Sequence, residues 1–317
     1  MNATVPLGNS GLALSRIRVG TAPIGSTPEW SIYWGPQDPD DAVRALGAAF
    51  DAGVSWVDTA PFYGWGRAEE IVGRALRGRR NPPLVFTKCG TLPNGRGGAR
   101  EDLSPASIRL QVEDSLRRLG NERIDVLQFH DPDPQTPIEE SWRELQRLIQ
   151  EGKVAHGGLS NHEPELIARA LAVGPVVSSQ QRYSLLHREA ESSVLGFCRD
   201  RGITSLAWSP LASGFLVDEF TVDSLDPADF RRRMPYAVDP LRARLAELRA
   251  HLGASASRRG RTMRELAVAW TLRPGACDAA IVGVRNEAEA RTLLDPLSWS
   301  WDAGSLFEFD ATVPIIR

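Results

Sequence analysis

The sequence predicts an α/β protein folded as a closed (β/α)8 barrel, in a single domain that spans residues 1–317. Three observations support this prediction. Short apolar stretches alternate with amphipathic helical stretches along the chain, as buried parallel strands and their covering helices do. Eight such units fit a chain of 317 residues, which is a usual size for one barrel. No G-x-G-x-x-G motif follows the first strand, which disfavours the alternative, an open doubly wound sheet.

The predicted strands are short and mostly apolar. They are residues 18–24, 55–59, 84–88, 126–130, 156–160, 176–180, 204–209 and 279–282. The stretch DAVRALGAAFDAG puts Val43, Leu46 and Phe50 on one helical face and ends at Gly53. SPASIRLQVEDSLRRLG and TPIEESWRELQRLIQEG each begin with Ser-Pro or Thr-Pro and end in glycine, the usual start and stop signals of a helix. Three further helices are predicted in EPELIARAL, EAESSVLGFCRDRG and MRELAVAWTLRPG.

Three segments fall outside the repeat, and one of them is the C-terminal tail from Asp295, which carries Trp299, Trp301, Phe307 and Phe309. LGNSGLALS predicts a short N-terminal hairpin that covers the bottom of the barrel. VDEFTVDSLDPADFRRRMPYAVDP predicts a long irregular insertion after the seventh strand, at the C-terminal mouth. Long loops at a barrel mouth commonly carry function.

Composition favours a cytoplasmic protein that acts on a small molecule. The net charge of -3 and pI of about 6.0 favour neither nucleic acid nor a membrane surface as a partner. Neither a signal peptide nor a long apolar run is present, and the three cysteines are scattered without metal-ligand spacing. No metal site is therefore predicted. The sequence gives no oligomeric state, and a monomer is compatible with it.

Four titratable residues follow the ends of consecutive predicted strands: Asp58 and Tyr63, then Lys88, then His130. The C-terminal strand ends of a barrel meet at one mouth, so these side chains should converge. Lys88 is one of only two lysines among 37 basic residues, and arginine cannot serve where a titratable ammonium is needed. An ammonium held by a carboxylate would lower the pKa of a tyrosine, and a histidine could orient a carbonyl oxygen. This set suits the reduction of a carbonyl by a hydride donor.

Seven motifs occur in one order: DTAPFYGWG, FTKCG, LQFHDPD, GLSNHEPE, QQRYSLL, AWSPLASGFL and IVGVRN. The series resembles the bacterial branch of the aldo-keto reductase superfamily over roughly residues 12–294. The resemblance implies a (β/α)8 barrel that binds a nicotinamide dinucleotide without a Rossmann fold. It also implies reduction of an aldehyde or ketone.

The resemblance assigns roles position by position. Tyr63 matches the general acid/base, Asp58 and Lys88 the pair that tunes it, and His130 the group that orients the carbonyl. The implied cofactor contacts are Ser160, Asn161 and Gln180 for the carboxamide, Trp208 for the nicotinamide ring, Ser209, Leu211, Ser213 and Gly214 for the pyrophosphate, and Gly283 and Arg285 for the adenosine phosphate.

The adenosine end departs from the family pattern. Glu289 stands where arginine or glutamine is usual, and Leu293 stands where an asparagine usually contacts adenine. A carboxylate there would repel a 2′-phosphate and accept from a 2′-hydroxyl, whereas Arg285 and Arg291 would attract the phosphate. NADPH is therefore predicted, with NADH as the alternative and weak discrimination between them.

Trp30, Trp34 and Trp65, with Tyr33 nearby, are predicted to form an aromatic wall on the substrate side, suited to sugar rings or aromatic aldehydes. The alternative is that two of these four residues only pack the barrel rim. Arg96 and Arg100 could attract an anionic group, although a solvated, flexible lid explains that loop better. The predicted activity is the reduction of an aldehyde or ketone, including a sugar or keto-sugar. Two alternatives stay open: an NAD-dependent sugar dehydrogenase working in the oxidative direction, and a non-catalytic nicotinamide-nucleotide-binding subunit.

Overall fold

The computed structural model describes residues 4–95, 98–301, 306, 309 and 310. An antiparallel hairpin of β1 (Thr4–Pro6) and β2 (Ala13–Ser15) precedes a closed barrel of eight strands. All neighbouring barrel strands are parallel. A second, smaller hairpin of β6 (Thr91–Pro93) and β7 (Ala99–Glu101) interrupts the series. The barrel strands, in their order around the barrel, are β3 (Ile17–Gly20), β4 (Trp56–Asp58), β5 (Leu84–Cys89), β8 (Ile124–Phe129), β9 (Val154–Ser160), β10 (Ser178–Arg182), β11 (Thr204–Trp208) and β12 (Ala279–Gly283).

Helices connect the strands and pack on their neighbours around the outside. Asp38 caps the first helix by accepting from the backbone of Asp40 and Asp41, and Thr262 with Glu265 forms a capping box at another. The helices are α1 (Pro39–Asp51), α2 (Arg67–Leu76), α3 (Pro105–Leu119), α4 (Ile138–Gln150), α5 (Pro164–Leu171), α6 (Val194–Asp200), α7 (Leu241–Ser257), α8 (Met263–Thr271) and α9 (Glu287–Arg291).

The predicted fold class is confirmed, with local corrections. The first barrel strand ends at Gly20, not Ile24, because Pro23 lacks a backbone N–H and starts a 3-10 turn, Pro23–Gly25. The segment predicted as a flexible lid begins and ends in the paired strands β6 and β7, and its residues 96 and 97 lie outside the described residues. The insertion after β11 is irregular as predicted, with short 3-10 turns, but it leads into α7, which was not predicted.

An apolar floor closes the lower end of the barrel. Leu7 and Leu14 from the N-terminal hairpin pack there against Trp56 and Phe86 of neighbouring strands. The rest of this floor is Val126, Val177, Leu206 and Ala279. Polar side chains lie above it, because Asp58, Lys88 and Gln128 follow two residues after floor residues of the same strands and so face the same interior. The floor thus separates the polar centre of the barrel from the solvent below.

Across the described ranges, no helix is long and apolar enough to cross a membrane. Within the same ranges, no group of three or more histidine, cysteine, aspartate or glutamate side chains is arranged to hold a metal ion.

Candidate active site

Lys88 joins the predicted residues at the centre of the barrel. Its side chain is fully buried, and Nζ donates to Asp58 Oδ1 at 2.7 Å and to Tyr63 Oη at 3.1 Å. A third bond from Nζ, to the backbone oxygen of Thr59 at 3.1 Å, uses the remaining donor of the ammonium. The ammonium is therefore fixed between the carboxylate and the phenol, as the sequence predicted.

Asp58 is held from several sides. Its Oδ2 accepts from Gln180 at 3.1 Å and from Gln128 at 3.4 Å. Arg18 Nη2 lies 3.1 Å from the same oxygen. Arg18 is fully buried on β3, and its guanidinium lies over the Trp56 ring at 3.8 Å from the centroid.

Sequence reasoning missed Arg18. The signal available was a single arginine inside the apolar stretch IRVG, at a position whose neighbours alternate between the barrel interior and exterior. Arg18 is the second cation beside Asp58, in addition to Lys88.

The electrostatics of the site differ from the prediction at Tyr63. Burial and the Asp58 carboxylate raise the pKa of Tyr63 well above its usual value, although Arg18 opposes this. The sequence predicted a lowered pKa from the Lys88 ammonium. In the structure, loss of solvation and the nearby carboxylate outweigh that effect. Tyr63 is therefore a phenol at neutral pH.

Asp58 and Lys88 are both shifted. Arg18 and Lys88 together hold the pKa of Asp58 below its usual range in spite of its burial. Burial lowers the pKa of Lys88, and Arg18 adds to this, while Asp58 opposes it. The carboxylate is therefore ionised at neutral pH, with two cations against it.

His130 completes the predicted group. Its ring centroid lies 5.7 Å from that of Tyr63 in an edge-to-face arrangement, and the side chain is buried. Burial, helped by the Lys88 charge, lowers the pKa of His130 to about 3. The imidazole is therefore neutral over the physiological range and has one N–H to donate.

Phe62, which the sequence analysis did not select, is the centre of the aromatic cluster beside Tyr63. Its ring meets those of Trp30, Trp65 and His130 edge to face, at centroid distances of 5.4, 5.4 and 5.6 Å. The adjacency of Phe62, Tyr63 and Trp65 in PFYGW was the available signal.

The predicted wall of three tryptophans needs correction. Trp30 is only 2% exposed, so it supports Phe62 and Tyr63 from behind and offers almost no surface to a substrate. Trp34 packs against Phe230 of the insertion, with its ring centroid 4.9 Å away, instead of joining the other two. Trp65, half-buried, remains at the mouth. Tyr33 is half-buried, and its backbone oxygen accepts from Phe230.

The residues assigned to the nicotinamide lie on neighbouring strand ends. Trp208 Nε1 donates to Asn161 Oδ1 at 2.9 Å, which fixes the indole ring and the amide relative to each other. Asn161 Nδ2 donates to Asp131 Oδ1 at 2.8 Å. Ser160 is 1% exposed, and its Oγ has no hydrogen-bond partner among the described residues. A buried hydroxyl without a partner fits a ligand amide that would supply one.

Gln180 is placed differently from the prediction. Its Nε2 donates to Asp58 Oδ2, so in this structure the amide supports the carboxylate instead of being free for a carboxamide.

The loop after β11 has strained backbone. Ser209, Ala212 and Ser213 have φ values of 57°, 48° and 60°, and Gly214 follows with 95°. Left-handed non-glycine residues cost about 1–2 kcal/mol each, and such strain concentrates at ligand sites. Ser213 N donates to Ser209 Oγ at 3.0 Å. Turns of this kind direct backbone N–H groups at anions, which fits a pyrophosphate. Leu211, also assigned here, is half-buried against the core.

Gly283 and Arg285 were assigned to the adenosine phosphate of the cofactor. Gly283 is exposed, whereas the Arg285 guanidinium already has hydrogen-bond partners within the protein. Its Nε, Nη1 and Nη2 donate to Gln37 Oε1, to the Trp34 carbonyl and to the Pro36 carbonyl. Glu289 accepts from the Arg285 backbone N at 2.8 Å.

The Arg285 guanidinium is therefore not presented as predicted. The guanidinium is turned toward the loop after β3. The Glu289 carboxylate lies at the start of α9, where it also accepts from Asn286 Nδ2 at 2.9 Å.

Three further expectations can be placed. Leu293 is fully buried in the core, so it cannot contact an adenine. Arg291 pairs with Glu287 on the surface of α9. Arg100 pairs with Asp102 at 3.0 Å, and Arg96 lies outside the described residues.

The model of the Aldo/keto reductase family matches residues 16–309. The chain belongs to this family. It is a nicotinamide-dependent oxidoreductase of the aldo-keto reductase type, as its barrel and sequence motifs predicted.

Relatives of this aldo-keto reductase extend over nearly the whole chain. It is 33% identical to the aldo-keto reductase YhdN of Bacillus subtilis, over 93% of this chain and 88% of that protein. It is 32% identical to the NADH-specific methylglyoxal reductase of Escherichia coli, over 90% and 91%. The solved structure of the glycerol dehydrogenase AKR11B4 from Gluconobacter oxydans superposes with a TM-score of 0.87 at 35% identity, covering 98% of this chain and 94% of that one.

Proposed function

We propose that this aldo-keto reductase reduces a small aldehyde or ketone to the alcohol, with Tyr63 as the proton donor. The observation that carries the proposal is Lys88 Nζ, which bonds both Asp58 Oδ1 and Tyr63 Oη. A nicotinamide dinucleotide, when bound, supplies the hydride for the carbonyl carbon. Tyr63 gives its proton to the carbonyl oxygen, and Lys88 faces the phenolate left behind.

The neutral His130 has a separate task. It can donate an N–H to the carbonyl oxygen and so set the direction in which that oxygen points, without adding a charge. Its edge-to-face contacts with Tyr63 and Phe62 fix the ring. A redox-reporting subunit would need the cofactor contacts but no positioned proton donor, so this arrangement favours the enzyme over the non-catalytic alternative.

The mouth favours neutral substrates that carry hydroxyl groups. Asp131 is half-buried beside His130, and burial together with nearby Glu101 raises the pKa of Asp131. Arg100 already pairs with Asp102, so its charge is not free for an anion. A phosphorylated or carboxylated substrate would meet acidic groups here, whereas a hydroxy-carbonyl could donate to them. Small hydroxy-carbonyls and dicarbonyls are consistent with relatives that act on glycerol and methylglyoxal.

The residues assigned to the adenosine phosphate support weak discrimination between NADH and NADPH, with NADH slightly preferred. The sequence favoured NADPH through Arg285, but that guanidinium is held by three acceptors of the loop after β3. The Glu289 carboxylate lies against the backbone of Arg285, where it opposes a 2′-phosphate and accepts from a 2′-hydroxyl. One relative is named as NADH-specific, which is consistent with this.

An absorbance assay at 340 nm tests the proposal. Both cofactors are run against a carbonyl panel: methylglyoxal, glyceraldehyde, glyceraldehyde 3-phosphate, dihydroxyacetone, p-nitrobenzaldehyde and a keto-sugar. We expect reduction, with glyceraldehyde used in preference to its phosphate. Preference for the phosphate would contradict the substrate class, and no reduction of any carbonyl would contradict the function.

Oxidation of a polyol is the second candidate. The similarity to a glycerol dehydrogenase structure favours it, and the same residues serve both directions, since proton transfer at Tyr63 is reversible. Glycerol and NAD+ at alkaline pH are the direct test of this candidate.

A further inference from the structure

We propose that Arg18 is a positioning residue of this active site. Its positive charge lies beside Asp58 Oδ2 and so keeps Asp58 Oδ1 on the Lys88 ammonium. This inference rests on the proposed function. It concerns a buried arginine on the first barrel strand, below the residues that would touch substrate or cofactor.

The environment of Arg18 is the first argument. Its Nη2 lies 3.1 Å from Asp58 Oδ2, yet none of its three nitrogens makes an aligned hydrogen bond within the described residues. The guanidinium lies on the Trp56 ring at 3.8 Å and near the Phe86 ring at 5.6 Å. An apolar side chain would cover these rings without the cost of burying a charge. The position therefore holds a charge where packing alone would not require one.

Charge balance is the second argument. Before proton transfer, Arg18, Lys88 and Asp58 sum to one positive charge, because Tyr63 and His130 are neutral. When Tyr63 gives its proton to a carbonyl oxygen, the phenolate brings this buried group to zero. Without Arg18 the same step would take the group from zero to one negative charge. Buried net charge is unfavourable, so Arg18 favours the donated state of Tyr63.

The groups around Tyr63 set the sign of the effect. Asp58 and Asp131 raise the pKa of Tyr63 and Arg18 lowers it, while the Lys88 ammonium faces its hydroxyl and His130 is uncharged. Removing Arg18 therefore raises the pKa of Tyr63. The phenol becomes a weaker acid, and the fall in reduction at high pH moves to still higher pH.

The experiment compares Arg18→Met and Arg18→Gln, which remove the charge, with Arg18→Lys, which keeps a cation. Two uncharged variants guard against one that does not fold. Arg273→Met is the matched control, since Arg273 is also nearly buried and lies 3.7 Å from a tryptophan ring centroid, that of Trp270, but pairs with Glu191 away from the site. Thermal unfolding is measured for all four. We also measure kcat/KM of each protein from pH 5 to pH 10.5. The substrate is the carbonyl of the panel that the wild-type protein reduces fastest.

We expect Arg18→Met and Arg18→Gln to lose at least tenfold in kcat/KM throughout this pH range, without any fall at high pH that the wild-type protein lacks. Arg18→Lys should recover most of the rate, and Arg273→Met should stay within threefold of wild type even if it unfolds earlier. The inference about Arg18 would be overturned by uncharged variants whose kcat/KM is within threefold of wild type, or by an Arg18→Lys variant as slow as Arg18→Met. Either result would leave the proposed function intact. A wild-type protein that reduces no carbonyl would overturn the proposed function first.

Discussion

Replacing Lys88 by methionine removes the ammonium that joins Asp58 to Tyr63. Nζ lies 3.1 Å from Tyr63 Oη. At an effective dielectric constant of about 20, the attraction between the ammonium and a phenolate at that distance is about 5 kcal/mol. Asp58 offsets part of it, so the expected loss in kcat/KM is the roughly 10²–10⁴-fold typical of a general acid–base step. Because Arg18 remains against Asp58, the carboxylate keeps one cation and the variant should fold.

The assay is carbonyl reduction at pH 7, followed at 340 nm, with Lys153→Met as control because it removes the other lysine of the chain. Lys153 pairs with Glu113 and Glu151 on the outside of the barrel, so its loss should leave turnover unchanged. Lys88→Arg should be nearly as slow as Lys88→Met, since Arg18 already places a guanidinium on Asp58 and a second planar group cannot take the position of Nζ. A Lys88→Met variant within tenfold of wild type would refute the reasoning.

Three further outcomes are expected. Trp208→Phe should keep an aromatic ring but lose the bond to Asn161, so it should weaken cofactor binding by less than Trp208→Ala does. Fluorescence titration gives the Kd of the cofactor. Equal affinities in the wild-type protein and both variants would place Trp208 outside the cofactor site. Glu289→Arg should move the kcat/KM ratio of the two cofactors strongly toward NADPH, whereas Arg285→Ala should move it only slightly, because that guanidinium already has its partners. Since the pKa of His130 is lowered to about 3, reduction should show no inflection near pH 6.5, and a fall in kcat/KM at that pH that His130→Asn abolished would contradict the neutral imidazole.

The fold and the convergence of the catalytic group could be predicted from sequence because both depend on short-range patterns. Apolar stretches of strand length fix the barrel, and the barrel brings its strand ends together regardless of detail. Asp58, Tyr63, Lys88 and His130 are therefore close to one another in the structure as predicted.

The remaining features depend on contacts between distant segments. The lone arginine of IRVG is visible in the sequence, but its contact with Asp58 depends on the two strands lying side by side and on the Arg18 side chain pointing inward. Arg285 carries a charge that suits a phosphate, but its carbonyl partners lie about 250 positions earlier in the chain, as in the contact with Trp34 at a separation of 251. Trp30 could face a ligand or the protein with equal ease on sequence grounds, and its burial decides the matter.

The central claim is that Tyr63 donates the proton, and Tyr63→Phe tests it most directly. The substitution removes one hydroxyl and keeps the ring that packs edge to face on His130. The measurement pairs kcat for carbonyl reduction with the Kd of the cofactor in the same preparation. We expect turnover to fall by about 10²–10⁴-fold while the cofactor Kd stays within about twofold. A variant that turns over within tenfold of wild type would show that another group supplies the proton.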